Sequence, residues 1–180
     1  MDPSRAGASS EAVMDGFDPS DARAAAAVIR AASVVLLQSL TPEGIEGYDH
    51  ITSETQILAR SSLAGFFARV IRERPSGRLL AYAEWQISEG HLVLIFVHPD
   101  VQGQGLGHLL LEDGISTLPQ RHPGLVRITV NSAPESVGFY RRHRFRPDSG
   151  MQWQKGVPFI RMSRPAERTT MERFTRLVAG

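Results

Sequence analysis

The chain has 180 residues, 42% of them hydrophobic and 22% charged, and its formal net charge at pH 7 is +1. That length suits one domain with a core of useful size, and the near-neutral balance gives no global electrostatic case for nucleic acid or a membrane surface as partner. Cysteine is absent, which excludes disulfides, thiolate metal ligands and a cysteine nucleophile; no apolar run approaches the ~20 residues that span a bilayer, and the N-terminus has no stretch of signal-peptide type, so a cytoplasmic location is the default reading.

Residues 1–11 are small and polar and read as a disordered tail. Residues 12–17 (AVMDGF) form a first edge strand, and Asp18-Pro19-Ser20-Asp21 supplies helix-start chemistry with Asp18 or Ser20 as N-cap. Ala22–Leu40 reads as one helix, and Thr41-Pro42-Glu43 opens a second helical region that ends near Ser61 or Ser62. Gly65–Glu73 and Arg78–Gln86 are strands by aromatic and β-branched content, joined by the turn Pro75-Ser76-Gly77. After Glu89-Gly90, the apolar run His91–Val97 is the central strand. A helical crossover from about residue 105 to 119 brings a strand at 125–131 back parallel to it. A short helix carrying Phe139 and Tyr140 follows, then a closing strand over Pro158–Met162. The expected fold is α/β: a mixed sheet, antiparallel at first and parallel after the crossover, with helices on both faces because the central strands show little alternation. Residues 165–180 place Met171, Phe174, Leu177 and Val178 on one helical face, which either docks on its own domain or contacts a second copy.

Residues 97–111, VHPDVQGQGLGHLLL, carry most of the functional information. A strand, a glycine-rich turn and a helix start in that order make an anion site, because unpaired N–H groups and the helix dipole point at the turn and glycines let a phosphate approach the backbone. Starting from Gly103, a dinucleotide fingerprint would need glycine at position 108, which is histidine, and no Gly-Lys-Ser/Thr tripeptide exists for a P-loop. What remains is Gln102-Gly103-Gln104-Gly105-Leu106-Gly107, of the form Gln/Arg-x-x-Gly-x-Gly/Ala. Further on come a strand ending in Asn131, the Phe139-Tyr140 pair, and Arg144-Phe145.

In these blocks the sequence resembles the GCN5-related N-acetyltransferase (GNAT) family, over residues 12–164 in order. Its acetyl-CoA pyrophosphate loop has the form of Gln102–Gly107, and its members carry a strand-ending Asn, an aromatic-Tyr pair and then Gly-Phe, where this chain has Arg144-Phe145. The resemblance implies the acyl-CoA N-acyltransferase fold, acetyl-CoA as cosubstrate, and transfer of an acetyl group to a primary amine of a small-molecule or peptide acceptor. It also implies that Tyr140 lies beside the departing sulfur, that Asn131 meets the pantetheine amides, that a bulge in the central strand turns backbone groups towards the pantetheine arm, and that a backbone N–H near Phe96 or Val97 is the oxyanion donor. A homodimer is expected on resemblance alone. An acyl-CoA binding or sensing module that keeps the site without catalysis stays open.

Transfer from a thioester to an amine needs a neutral amine, a donor for the developing oxyanion and a hydrogen bond for the leaving thiolate. A phenol (pKa ~10) and a thiol (~8.5) are close enough for Tyr140 to serve the last need. The base has two candidates. His91 occupies the position, eleven before Gln102, where many relatives carry Glu; it could instead be a turn residue. Glu84 shares a strand face with Leu80 and Tyr82, and could instead be a salt-bridged sheet residue. His98 and His108 flank the loop, either on the phosphates or in solvent. Arg141, Arg142, Arg144 and Arg146 with His143 read first as a solvated basic face with one arginine reaching coenzyme A; a patch for its 3′-phosphate or an acidic acceptor, and a nucleic-acid surface, are the other readings. The six histidines show no paired spacing and no cysteine assists, so no metal site is expected.

Overall fold

A computed structural model describes residues 11–166. The sheet has seven strands: β1 (Glu11–Gly16), β2 (Phe66–Arg74), β3 (Leu79–Gln86), β4 (His91–Val97), β5 (Arg127–Ser132), β6 (Arg146–Gln154) and β7 (Val157–Pro165), in the spatial order β1-β2-β3-β4-β5-β7-β6. Every neighbouring pair is antiparallel except β4 and β5. The mixed sheet, with its change to parallel pairing across the glycine turn, is the expected one. The tail 1–10 and the apolar positions Met171, Phe174, Leu177 and Val178 lie outside the described residues, while Glu11 already belongs to β1.

Two layers cover the sheet. On one face lie α1 (Ala22–Ala32), α2 (Val34–Ser39), α3 (Pro42–Thr52) and α4 (Glu54–Ser61), which bury Val28, Ile29, Tyr48 and Ile57 against Val70, Tyr82 and Leu94. On the other, α5 (Leu106–Arg121) and α6 (Val137–Arg142) enclose Trp85, Leu92, Leu111, Leu118, Ile128, Tyr140, Phe145 and Met162. Close approach of α5 to β3 depends on Gly114: a Cβ there would stand 2.1 Å from Cε2 and Cζ2 of the fully buried Trp85.

Several boundaries differ from the sequence expectation, each for a local reason. The helix expected over 22–40 breaks at Ser33, whose Oγ donates to the Ile29 carbonyl at 2.7 Å and also bonds the Tyr48 hydroxyl, competing with the helical ladder. Asp18 rather than Ser20 caps the first turn, in a reciprocal box with Asp21. The region after Thr41 is two helices, α3 capped by Thr41 and α4 starting after Ser53. The strand expected from Leu125 begins only at Arg127, because the Leu125 N–H closes a turn on the His122 carbonyl. β6 was not expected as a strand: it is exposed along most of its length, so it lacks the apolar alternation that marks a half-buried one. Leu80 does not share the face of Tyr82 and Glu84. The β2–β3 register slips, pairing Ile71 with Ala81 and Arg72 with Leu79, which leaves Leu80 unpaired and turns it towards Leu106 and Leu110 of α5.

Candidate active site

β4 and β5 pair only at His91–Thr129 and Leu92–Val130, then part. The gap becomes an open cleft of about 1580 Å³ between Val93–Val97 on one wall and Val130, Asn131 and Ala133 on the other, with the glycine loop at one end and α3 residues at the other. A bulge helps to shape its wall. Glu84 pairs with Leu94 and Trp85 with Leu92, so Val93 is the extra residue of β4. This lies three and four positions before Phe96 and Val97, where the strand's free polar groups were expected. Near the loop, the His98 N–H donates to the Leu80 carbonyl at 2.8 Å. Strand alternation then directs Phe96 towards β3 and turns the Val97 N–H and C=O to the edge that β5 has left. Of the two residues, Val97 offers backbone to the cleft, and its carbonyl already accepts a bond from Gln102 Nε2 at 3.0 Å.

That bond draws Gln102 back onto β4 and folds the loop. Gly103 and Gly105 take φ of 77° and 86°, the left-handed region that L side chains rarely adopt, and a Cβ at either would meet nothing within 4 Å. The loop therefore shows bare backbone to open space. Gly105 is the N-cap of α5 and no side chain caps that end, so the first-turn amides of Leu106, Gly107 and His108 have no intrahelical acceptor. Gly107 packs between Val97 and Phe139, Leu106 is buried under the loop, and Gln104 lies at its exposed tip. Donors, dipole and access together fit a diphosphate.

Tyr140 is buried yet lines the cleft. Its ring packs edge-on against Phe139 and Phe145 at 5.1 and 5.7 Å. Among the described residues nothing hydrogen-bonds its hydroxyl, and burial alone pushes its pKa up. The phenol is thus held protonated. It is a weaker acid than an exposed tyrosine, so donating a hydrogen bond to a thiolate suits it better than surrendering the proton. Asn131, exposed at the end of β5, stands on the facing wall. Arg144 fills the place of the expected glycine with φ 65°, in the left-handed region that glycine adopts most easily.

The two base candidates separate clearly. Glu84 points to the helical layer opposite α5, not to the cleft. It is buried, accepts from Arg60 Nε and Nη2 at 2.5 and 2.9 Å, and accepts from the Tyr82 hydroxyl at 2.9 Å. Two of these bonds belong to a structural ion pair and the third ties the carboxylate to the core tyrosine. His91 lines the cleft, half-buried, with Nδ1 2.8 Å from Thr129 Oγ1. Burial, with help from the Arg161 charge and against that of Glu89, lowers its pKa below 6.5, so the imidazole is neutral at pH 7.

His108 lies in neither of its expected settings alone. Its ring stacks on that of His143 at 5.0 Å, and the fold brings Glu112 beside both. No metal site was expected because the histidines show no paired spacing and cysteine is absent; α5 and the end of α6 close the 35-residue gap between His108 and His143. The His108-x-x-x-Glu112 spacing on one helix was the readable half of that signal.

A family model described as an acetyltransferase (GNAT) domain matches residues 36–165. The chain belongs to the GNAT family. This GNAT chain is 31% identical over 75 residues to the peptidyl-lysine N-acetyltransferase YjaB of Salmonella typhimurium, a match covering 42% of this chain and 45% of that relative. It spans less than half the length of the curated relatives it matches. Its fold superposes on the ribosomal-protein-S18-alanine N-acetyltransferase of Escherichia coli with a TM-score of 0.64, at 20% identity over 88% of this chain and 96% of the other. It also superposes on the PaiA N-acetyltransferase of Thermoplasma acidophilum in complex with coenzyme A, with a TM-score of 0.65, at 18% identity over 86% and 99%. At these identities the structural likeness is one of fold.

Proposed function

We propose that this chain moves an acetyl group from acetyl-CoA to a primary amine by direct attack, without a covalent enzyme intermediate. The observation that carries this reading is the arrangement along one cleft. A bare-backbone loop suited to a diphosphate, the β4 edge at Val97 that β5 leaves uncovered, and a buried phenol at Tyr140 follow one another where β4 and β5 part. Acetyl-CoA would supply an activated acyl thioester there. Gln102–Gly107 hold its pyrophosphate through main-chain N–H groups, with His108 and Phe139 flanking. Val97 and Asn131 meet the amide-bearing arm, and the Tyr140 hydroxyl donates to the sulfur. Among the relatives, one is named for lysine side chains in peptides and another for an alanine of a ribosomal protein, which agrees with an amine acceptor.

His91 is the base in this reading, either directly or through water. Its lowered pKa limits what it can deprotonate. An α-amine of pKa ~8 lies much closer to it than a lysine-type amine of ~10.4, so the neutral nucleophile is easier to reach from an α-amine. The acceptor in this reading is a small molecule or peptide presenting a primary amine. The test measures coenzyme A release from acetyl-CoA across a panel of α-amines and ε-amines, beside calorimetry with coenzyme A. Turnover with the panel supports transfer. Tight binding with no turnover on any amine favours a sensor of acyl-CoA, and absence of binding removes the reading altogether.

A further inference from the structure

The geometry points to a divalent transition-metal site formed by His108, Glu112 and His143. Each offers one ligand atom, and the three atoms lie within 4.8 Å of one another. His108 and Glu112 are four apart on α5 and so share a face. His143 follows α6, and its backbone is fixed independently of any ion: its N–H donates to the Tyr140 carbonyl at 2.9 Å and its carbonyl accepts from Arg164 Nη1 at 3.0 Å. Its ring packs on Phe139 at 4.9 Å and on His108 at 5.0 Å. The His143 side chain is only 10% exposed, whereas Glu112 is 48% exposed, so one ligand is rigid and another is free to adjust.

Nδ1 of His143 and Oε1 of Glu112 stand 2.9 Å apart. Two ligands at ~2.0–2.2 Å from a tetrahedral ion are separated by roughly 3.3 Å, so an ion can replace the proton this pair shares with little movement. Two imidazole nitrogens and one carboxylate select zinc-like ions over magnesium and calcium, which prefer all-oxygen shells. The three residues line the cleft on the side of the glycine loop, which leaves a fourth coordination position open to water. This inference does not depend on acetyl transfer. Its consequence is a tie between α5 and the residue three positions after Tyr140, so that metal occupancy stiffens the helix that carries the phenol.

The untagged full chain, stripped with chelator, is titrated with Co²⁺ and followed by visible absorption. One equivalent is expected to give the intense bands of a four-coordinate ion, displaced by Zn²⁺ and untouched by Mg²⁺. Glu112→Gln and His108→Ala, both at exposed positions and checked for native circular dichroism, should each raise the dissociation constant at least about tenfold. His50→Ala, which removes another cleft histidine, should leave it unchanged. No Co²⁺ spectrum from the native chain, or the same affinity in Glu112→Gln and His108→Ala, overturns the site and leaves an ordinary ion pair beside a stacked imidazole.

Discussion

Replacing Glu84 by glutamine tests whether this carboxylate holds the fold or performs the reaction. In the native protein it accepts three hydrogen bonds, two from Arg60 and one from Tyr82. The Arg60 side chain is 15% exposed and that of Glu84 3%. Glutamine keeps one acceptor oxygen but turns an NH₂ group either towards the guanidinium, which can only donate, or towards the phenol, which must then accept instead of donating. Removing one partner of a buried ion pair costs about 3–5 kcal/mol, and because Arg60 retains some contact with water the lower end applies. A loss of about 3 kcal/mol is a large share of the roughly 5–15 kcal/mol that domains possess. With a urea slope near 2 kcal/mol/M, the midpoint should fall by about 1.5 M.

The assay is urea denaturation followed by circular dichroism, beside acetyl-transfer kinetics below the start of the transition. The midpoint should fall while kcat per folded molecule stays level. A double replacement, Arg60→Met with Glu84→Leu, should recover only part of the lost stability: apolar pairs of similar volume substitute well for buried ion pairs, but the buried Tyr82 hydroxyl loses its acceptor. The opposite result, an unchanged midpoint with kcat lowered about 10²-fold or more, would make Glu84 the general base and refute the assignment of its carboxylate to structure.

Tyr140→Phe should lower kcat about 10²-fold while leaving coenzyme A affinity by calorimetry intact, because the ring packing survives and only the donor is lost; equal loss of both would remove the phenol from the reaction. Gly105→Ala meets no atom within 4 Å but must hold φ near 86°. It should therefore cost about 1–2 kcal/mol of stability, and weaken coenzyme A binding at least about tenfold. Unchanged affinity would move the phosphate site elsewhere. For His91, the lowered pKa sets the sign. The neutral base is fully present above pH 6.5, and kcat/KM should decline only as pH falls through the lower folded value; His91→Gln should abolish that acid limb. The unfolded chain takes up this proton more readily than the folded one, so His91's contribution to stability is complete above pH 6.5 and is lost as pH falls below it.

What the sequence disclosed about the fold depended on how much each segment was buried. The central strands could be read because residues such as Leu92, Ile128 and Val130 are covered on both sides, and the glycine turn because left-handed φ leaves few other residues available. β6 was invisible for the opposite reason. It pairs through backbone along one edge of β7 and buries almost no side chain, so its pattern carries no period. The break at Ser33 was hidden by alanines and leucines that would extend a helix anywhere; only the contact with Tyr48, fifteen residues on, makes the serine a breaker rather than a passenger.

The same distinction governs the site. The glycine loop proposed to hold a diphosphate and Tyr140 sit in local motifs whose chemistry needs consecutive residues, and consecutive residues are what a sequence displays. The base of the proposed mechanism is set by pairings across the sheet. Glu84 and His91 were equal candidates until Arg60, 24 positions from Glu84, occupied one and Thr129, 38 positions from His91, oriented the other. Both contacts follow from register: a one-residue slip in β3 would have turned Glu84 towards α5, and longer pairing of β5 would have closed the cleft beside His91. In the proposed mechanism the choice of base thus rests less on which residues are titratable than on where β4 gains Val93 and loses its neighbour.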